Sequence, residues 1–203
     1  MNFYTAIRAI LGNPVLAINR VHIHGQENIP DNGPLLICPN HVSANDPVVL
    51  VAAIKNRQLR FMAKAELFKI PVLNLIIKAF GAFPIKRGSG DVGAIKNTVK
   101  LLRDGECVGM FIQGTRCAGK EPKDTVCRHG SGLVTYRSGC DVLPVAIKMK
   151  DYKARPLRRI DITFGELIKY EDFNFTDGSR EEVRAAAEKI FAEMVKLSER
   201  SYK

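Results

Sequence analysis

The sequence contains no tryptophan, no Cys-x-x-C pair and no uninterrupted apolar run near the roughly 18 residues that a membrane-spanning helix needs. Its five cysteines are widely spaced and odd in number, which argues against a disulfide framework or a zinc ribbon and suits a reducing compartment. The N-terminal residues lack the form of a signal peptide, because Arg8, Asn13 and Pro14 interrupt their apolar stretch. We therefore expect an intracellular protein.

Acidic residues are also few: 21 stand against 31 lysines and arginines, which leaves a net charge of +10. An excess of this size favours a polyanionic partner such as a nucleic acid, an anionic membrane surface or an acidic carrier. Nucleic acid is the least favoured, because the sequence has no interleaved basic and aromatic residues, no helix-turn-helix pattern and no zinc module. The 203 residues, 46% of them hydrophobic, predict one globular domain that buries a core without disulfides or metal.

Short apolar runs alternate with helical patterns along most of the chain. The predicted strands lie at 21–24, 35–38, 59–63, 83–85, 107–111, 142–147 and 160–164. The predicted helices lie at 47–54, 67–80, 92–102 and 131–137, and a last helix follows the capping box Ser179-x-x-Glu182. This alternation predicts an α/β fold with a mixed, largely parallel sheet covered by helices on both faces.

The first residues form a separate segment in this interpretation. Apolar positions from Phe3 to Ile18 have helical spacing on both sides of Gly12-Asn13-Pro14, which predicts two short amphipathic helices. We expect residues 1–19 to contact a membrane and residues 20–203 to form the main domain, with packing of the helices against that domain as the alternative.

A histidine and an aspartate stand where the second predicted strand gives way to a helix. His41 leaves the strand into a polar loop, and Asp46 opens the helix five residues later, as its N-cap before Pro47. Loops of this kind expose reactive groups at the edge of a sheet. The carboxylate is positioned to accept one imidazole N–H and raise the basicity of the other nitrogen, as a general base requires.

Two further strands end in cations. Residues 81–85 lead into Lys86 and Arg87, and residues 109–112 lead into Gln113-Gly114-Thr115-Arg116. Glycine allows close approach of a ligand to the backbone, and an arginine grips a phosphate with two parallel hydrogen bonds. A fourth block, Val142-Leu143-Pro144-Val145, has the composition of a core strand.

In this order, the four blocks resemble the 1-acylglycerol-3-phosphate acyltransferase family of glycerolipid acyltransferases. That family is marked by Asn-His-x4-Asp, Phe-x-x-Arg, Phe-Pro-Glu-Gly-Thr-Arg and Val-Pro-Val blocks, and the resemblance extends from about Gly25 to Phe164. It implies the glycerol-3-phosphate acyltransferase-like fold and acyl transfer from acyl-coenzyme A or acyl carrier protein to lysophosphatidic acid. The implied catalytic residues are His41 and Asp46, without a metal or resident cofactor. The implied substrate-binding residues are Asn40, Lys86, Arg87, Gln113, Gly114, Thr115 and Arg116.

One departure from the family pattern leaves alternatives open. Ile112-Gln113 stands where the family has Pro-Glu, so a neutral amide replaces a carboxylate that the resemblance places beside the acceptor phosphate and Arg116. The chain is then an enzyme for lysophosphatidic acid, an acyltransferase for another lysolipid, or a lipid-binding homologue with weakened catalysis. The intact His41 and Asp46 argue against the last alternative.

The charge pattern favours the membrane among the polyanionic partners. Residues 55–87 hold eight cations and one acid, a net charge of 8 − 1 = +7, around the apolar stretch 67–80. Cations that flank an apolar surface suit a protein lying on anionic headgroups, although part of the stretch belongs in the core. We expect a peripheral or monotopic protein on the cytoplasmic face of the cell membrane.

Overall fold

The protein is described by a computed structural model that covers residues 12–79, 81–85, 92–155 and 157–200. Its strands are β1 (Val21–His24), β2 (Leu35–Pro39), β3 (Leu59–Lys64), β4 (Phe83–Ile85), β5 (Cys107–Gly109), β6 (Asp141–Met149) and β7 (Ile160–Phe164). They form one sheet in the order β1-β7-β6-β2-β5-β3-β4. Every neighbouring pair is parallel except β6 and β7, which confirms the mixed, largely parallel sheet.

The helices of the described residues cover both faces of this sheet. They are α1 (Asn13–Ile18), α2 (Asp46–Ala53), α3 (Pro71–Ala79), α4 (Val92–Arg103), α5 (Gly130–Ser138) and α6 (Arg180–Glu199). Strand β2 is fully buried, and its alternate residues enter two different cores: Leu35 and Ile37 pack with α2, whereas Leu36 and Cys38 pack with α4, α5 and α6. A strand covered on both faces is apolar throughout, as parallel sheets require.

Three local features differ from the sequence-based expectations. The stretch predicted as one helix at 67–80 is a 3-10 turn at Ala65–Lys69 followed by α3, because Pro71 offers no N–H and disfavours helical backbone before it. Strand β5 ends at Gly109 rather than at residue 111. The Ser179 hydroxyl accepts the Glu182 N–H as predicted, but the Glu182 carboxylate accepts hydrogen bonds from Thr176 and Gly178 instead of completing the capping box.

The carboxyl ends of β2, β3, β4, β5 and β6 meet at one edge of the sheet, which we call the site edge. Because β1 and β7 run the opposite way, their first residues also lie there, with Met149 paired to Ile160 and Ile160 to Val21. Helix α1 leads into β1 at this edge. The predicted helix before Gly12 lies outside the described residues, as do Phe80, Lys86 and Arg87. Within the described ranges, no helix has both the length and the apolar character needed to cross a bilayer.

Candidate active site

The imidazole of His41 and the carboxylate of Asp46 form a buried pair at the site edge. Nδ1 of His41 lies 2.8 Å from Oδ2 of Asp46, and the two side chains are 10% and 3% exposed. The same oxygen accepts the backbone N–H groups of Val42 at 2.6 Å and Ser43 at 2.7 Å. Three donors therefore fix the carboxylate, which in turn holds the Nδ1–H tautomer of His41 and leaves Nε2 as the basic nitrogen.

The position of Asp46 differs from the predicted N-cap. It is the first residue of α2, Asn45 precedes the helix, and Pro47 follows at the next helical position. The side chain of Asp46 turns back over the loop instead of capping the helix amides. A Pro at this point removes one N–H that would otherwise need a partner, so the carboxylate is available to bind the loop and the imidazole.

An aromatic stack supports the other side of the imidazole. The His41 and Phe111 rings lie 3.8 Å apart between centroids with an angle of 16°, and Phe61 stacks behind Phe111 at 5.4 Å. Gly109 makes room for this stack, since a Cβ atom there would lie 2.1 Å from the Phe61 ring. The ring of His41 is thus held between a hydrogen bond at Nδ1 and an apolar surface on its face.

The backbone of His41 is bound by the segment that contains the third sequence block. Its N–H donates to Oε1 of Gln113 at 2.7 Å, and its carbonyl accepts the Cys117 N–H at 2.8 Å. Gln113 is buried, and its Nε2 donates at 2.7 Å to the hydroxyl of Thr125, which donates to the Pro122 carbonyl at 2.6 Å. The Gln113 amide is therefore bonded to the histidine loop and to Thr125 rather than to Arg116.

Asn40 joins the histidine loop to β6. Its Oδ1 accepts the Ile147 N–H at 2.6 Å and its Nδ2 donates to the Ile147 carbonyl at 2.9 Å. Asn40 is 1% exposed. Its side chain makes the two backbone hydrogen bonds that a further strand residue would make, next to the last β2–β6 pair, Pro39 and Val145. Through these bonds, Asn40 helps to hold the loop that carries His41. The sequence-based interpretation had assigned Asn40 to substrate binding.

Two exposed arginines flank the Gly114 turn. Gly114 has a φ of +68°, and a Cβ atom there would lie 2.9 Å from Cγ of Arg128, so both the backbone and the close approach require glycine. Thr115 and Arg116 follow the turn and are exposed. The Arg128 N–H binds the Ile112 carbonyl at 2.8 Å, which fixes Arg128 beside the turn. The structure thus brings a second guanidinium close to the predicted phosphate-binding block.

The two cations of the second sequence block complete the set of predicted binding residues. Lys86 and Arg87 lie outside the described residues. Nε2 of His24 on β1 lies 3.4 Å from Oδ1 of Asp161 on β7. In the part of the chain that the structure describes, no three His, Cys, Asp or Glu side chains come together as a metal site requires.

Three residues of the site were not predicted from the sequence: Phe111, Thr125 and Arg128. Phe111 was interpreted as an ordinary strand residue, whereas β5 ends at Gly109 and leaves Phe111 beyond the strand at the site edge. Thr125 and Arg128 lie in a segment with no regular pattern. Their contacts with Gln113 and Gly114 depend on how residues 114–129 fold back, which neither periodicity nor composition reveals.

The sequence and the fold match known acyltransferases. A family model described as Acyltransferase matches residues 20–148, more than half of the chain. The chain is 29% identical over 205 residues to 1-acyl-sn-glycerol-3-phosphate acyltransferase of Streptococcus pneumoniae, covering 97% of this chain and 74% of that protein. The enzyme of the same name from Bacillus subtilis is 30% identical over 126 residues, which are 62% of this chain and 61% of that protein.

The fold matches a solved structure over nearly its whole length. The crystal structure of the 1-acyl-sn-glycerophosphate (LPA) acyltransferase PlsC from Thermotoga maritima superposes with a TM-score of 0.72 and 24% identity. The match covers 98% of this chain and 80% of that chain, which shows a shared fold. The resemblance predicted from the four blocks is confirmed: the chain belongs to the acyltransferase family of enzymes.

Proposed function

We propose that this acyltransferase moves a fatty acyl group from an acyl thioester to the free hydroxyl of 1-acyl-glycerol-3-phosphate, giving phosphatidic acid. The observation that carries the proposal is the buried pair of His41 and Asp46 at the site edge, 2.8 Å apart, next to a turn with exposed arginines. The names of the relatives from S. pneumoniae and B. subtilis support the same acceptor.

The pair acts as a general base. Nε2 of His41 takes the proton of the acceptor hydroxyl as its oxygen attacks the thioester carbonyl, and Asp46 stabilises the imidazolium that forms. The tetrahedral intermediate then collapses, an ester forms, the carbon–sulfur bond breaks, and the proton on His41 passes to the leaving thiolate. Because the donor is already an activated thioester, no covalent acyl-enzyme and no resident cofactor are needed. Backbone N–H groups or a neighbouring side chain stabilise the oxyanion.

The acceptor phosphate is held at the Gly114 turn in this proposal. Arg116 and Arg128 supply guanidinium groups, Thr115 supplies a hydroxyl, and the absence of a side chain at Gly114 lets the stem of Arg128 pack against the turn. Lys86 and Arg87, the two cations of the second sequence block, are proposed to bind the same phosphate. Asn40 and Gln113 serve the acceptor indirectly, since they hold the loop that carries His41.

We assign the membrane contact to residues 1–19 and to the segment around α3. Leu75 is 71% exposed, Ile70 is 50% exposed and Leu67 is 36% exposed, and lysines at 69 and 78 stand beside them. Exposed apolar side chains flanked by cations suit a surface that enters the headgroup region of an anionic bilayer. We accordingly propose a peripheral or monotopic position on the cytoplasmic face of the cell membrane.

The alternative with weakened catalysis is less well supported. With glutamine at position 113, the amide oxygen accepts the His41 backbone N–H and the His41–Asp46 pair is intact. Another lysolipid acceptor stays open as the second candidate, because a neutral amide changes the charge close to the site. A panel of uncharged lysolipids beside lysophosphatidic acid separates the two acceptors.

The test is thioester release by the purified protein with lysophosphatidic acid and either acyl-coenzyme A or acyl carrier protein as donor. His41→Ala is expected to lower turnover by about 10²–10⁴-fold while the circular dichroism and the unfolding midpoint stay close to those of the native protein. Asp46→Asn is expected to be impaired as well, partly because the neutral amide controls the imidazole tautomer less firmly and changes the geometry at the start of α2. Turnover near the native rate in folded His41→Ala would refute the mechanism.

A further inference from the structure

A large basic cavity lies beside the site edge, between the end of β6 and the start of β7. Its volume is about 890 Å³, and its lining includes seven lysines and arginines against three acids. The cations come from separate parts of the chain: Arg20 precedes β1, Lys150 and Lys153 follow β6, Arg158 precedes β7, and Arg200 follows α6. The fold therefore gathers positive charge that is dispersed along the sequence.

Much of this charge is not neutralised within the protein. Two of the three acids are already engaged, since Asp161 binds Arg159 at 2.8 Å and Glu121 binds Lys123 at 2.9 Å. Among the described residues, Arg20, Lys150, Lys153 and Arg158 have no acidic partner. Concave walls with one sign of charge focus the field on their interior and raise the local concentration of anions.

A second, narrower cavity borders the basic cavity and includes Asp46 of the catalytic pair in its lining. Its volume is about 310 Å³, and Met149, Lys153, Arg158 and Arg159 line both cavities. Its lining also includes Ser43, Asn45 and Asp46, together with the apolar side chains of Ile18, Val49, Ile147 and Ile160. The two cavities together suit a ligand with a bulky anionic head and a slender, less polar arm that leads to the site.

We propose that the basic cavity binds the nucleotide head of the acyl donor, a thioester carrier of the coenzyme A type, and that the narrow cavity holds its arm. The inference rests on the proposed function, which leaves the donor open. The nucleotide head of coenzyme A carries a diphosphate and a further phosphate, which match several unpaired cations of the basic cavity. The volume of the cavity also lies within the range of about 300–1,000 Å³ that is typical of small-molecule sites. A carrier protein presents one phosphodiester on a convex surface, which leaves such a concave cavity largely unfilled.

The test measures binding separately from turnover. Coenzyme A and adenosine 3′,5′-bisphosphate, neither of which is an acyl donor, are titrated calorimetrically into the native protein and into Lys150→Ala/Arg158→Ala. We expect both ligands to bind the native protein and to bind the double variant at least about tenfold more weakly, because each loses two charge-assisted contacts. The matched control is Lys96→Ala/Lys100→Ala, which removes the same charge from exposed positions on α4. That control is expected to bind like the native protein.

Kinetics with the two donors separate failure of this inference from failure of the proposed function. We expect Lys150→Ala/Arg158→Ala to raise KM for acyl-coenzyme A about tenfold and to leave kcat unchanged. Native protein that binds no coenzyme A but transfers acyl groups from acyl carrier protein would overturn the inference and retain the proposed function. An equal loss of binding in the control would also overturn it. If both ligands bind but neither donor supports turnover, the proposed function is refuted. The assignment of the cavity to an acyl donor is then refuted as well.

Discussion

Oε1 of Gln113 accepts the backbone N–H of His41 at 2.7 Å, across 72 positions of sequence. This bond joins the loop that carries His41 to the turn that carries Arg116. Glutamine suits this position because an amide oxygen can accept the N–H, as a carboxylate oxygen also could. The amide nitrogen needs an acceptor of its own, which Thr125 supplies.

Replacement of this glutamine by the family residue is the first test of its position. In Gln113→Glu, one carboxylate oxygen accepts the His41 N–H and the other accepts the Thr125 hydroxyl, which gives up its bond to Pro122. The negative charge stabilises the imidazolium formed during proton abstraction. We expect kcat with lysophosphatidic acid to rise about tenfold, which corresponds to about 1.4 kcal/mol.

The same variant is expected to be less stable. Gln113 is 3% exposed, and a carboxylate at this depth loses solvation that its two hydrogen bonds only partly replace. Steady-state kinetics and thermal unfolding measure the two effects on one preparation. Unchanged or lower activity with lysophosphatidic acid, together with better use of an uncharged lysolipid, would instead show that glutamine is an adaptation to a different acceptor.

Thr125 is predicted to act on catalysis through Gln113. Thr125→Val keeps the shape of the side chain but leaves Nε2 of Gln113 buried without its acceptor, so we expect a loss of about 1–3 kcal/mol in the free energy of unfolding. Because the histidine loop is then less firmly held, kcat is also expected to fall. Denaturant unfolding and initial rates provide the two measurements.

The matched control for this effect is Thr135→Val in α5. The Thr135 hydroxyl is fully buried and donates to the Ser131 carbonyl at 2.9 Å, within a helix. It also loses a buried hydroxyl and some stability, but its kcat is expected to stay at the native value. A fall of kcat in both variants would mean that Thr125 contributes to stability alone.

The sequence predicted the parts of the fold that depend on local patterns. The run Leu35–Pro39 is apolar because β2 is covered on both faces, and Pro47 marks the start of α2 directly after the loop that carries His41. Such features are encoded within a few neighbouring residues. The pairing of His41 with Asp46 was likewise within reach, since only five positions separate them and the helix start brings them together.

Contacts between distant segments were beyond prediction from the sequence. The antiparallel pairing of β6 with β7 depends on the path of residues 150–159 and not on the composition of either strand. Asn40 and Gln113 have the residue types of ligand-binding groups, yet their partners Ile147 and His41 lie 107 and 72 positions away. Only the folded chain shows that these amides hold the loop together. The basic cavity is of the same kind, because its cations are dispersed from Arg20 to Arg200.

Membrane binding is predicted to depend on Leu75 as well as on charge. In Leu75→Asn, an apolar side chain that is 71% exposed no longer enters the bilayer, and since its burial is worth about 1.5–3 kcal/mol we expect partitioning to fall about 10–100-fold. Flotation with anionic vesicles at low salt measures this. Leu75→Met is the control, because it keeps an apolar side chain and is expected to bind like the native protein.

The charge contribution is measured in the same assay. High salt and neutral vesicles are each expected to weaken binding, since residues 55–87 carry a net charge of +7 (8 − 1). Binding of the native protein that is equal for neutral and anionic vesicles at both salt concentrations would contradict this part of the prediction. Equal binding by Leu75→Asn and Leu75→Met would contradict the apolar part.

The five cysteines are predicted to fall into two classes of reactivity. Cys38, Cys107 and Cys140 are buried in the sheet and its core, whereas Cys117 and Cys127 are partly exposed near the site edge. Burial raises the pKa of Cys107 to about 12 and that of Cys140 to about 11, and it raises the pKa of Cys38 as well. At pH 8, a thiol reagent is expected to modify only Cys117 and Cys127 in the native protein. Peptide mass spectrometry identifies the sites, and modification of Cys38 before unfolding would contradict the fold.

The raised thiol pKa values also predict how stability depends on pH. The folded state keeps Cys107 protonated up to a pKa of about 12, whereas in the unfolded chain the thiol ionises near pH 9, so the unfolded state binds fewer protons in between. The free energy of unfolding therefore falls as pH rises through this window, by about 1.4 kcal/mol at pH 10 for this one group.

Urea unfolding of the native protein and of Cys107→Ala at pH 8 and pH 10 isolates the effect. The cavity left by the substitution lowers stability at both pH values, but the drop between them is expected to be smaller in Cys107→Ala. An equal drop in both proteins would show that Cys107 ionises as readily in the folded state as in the unfolded chain.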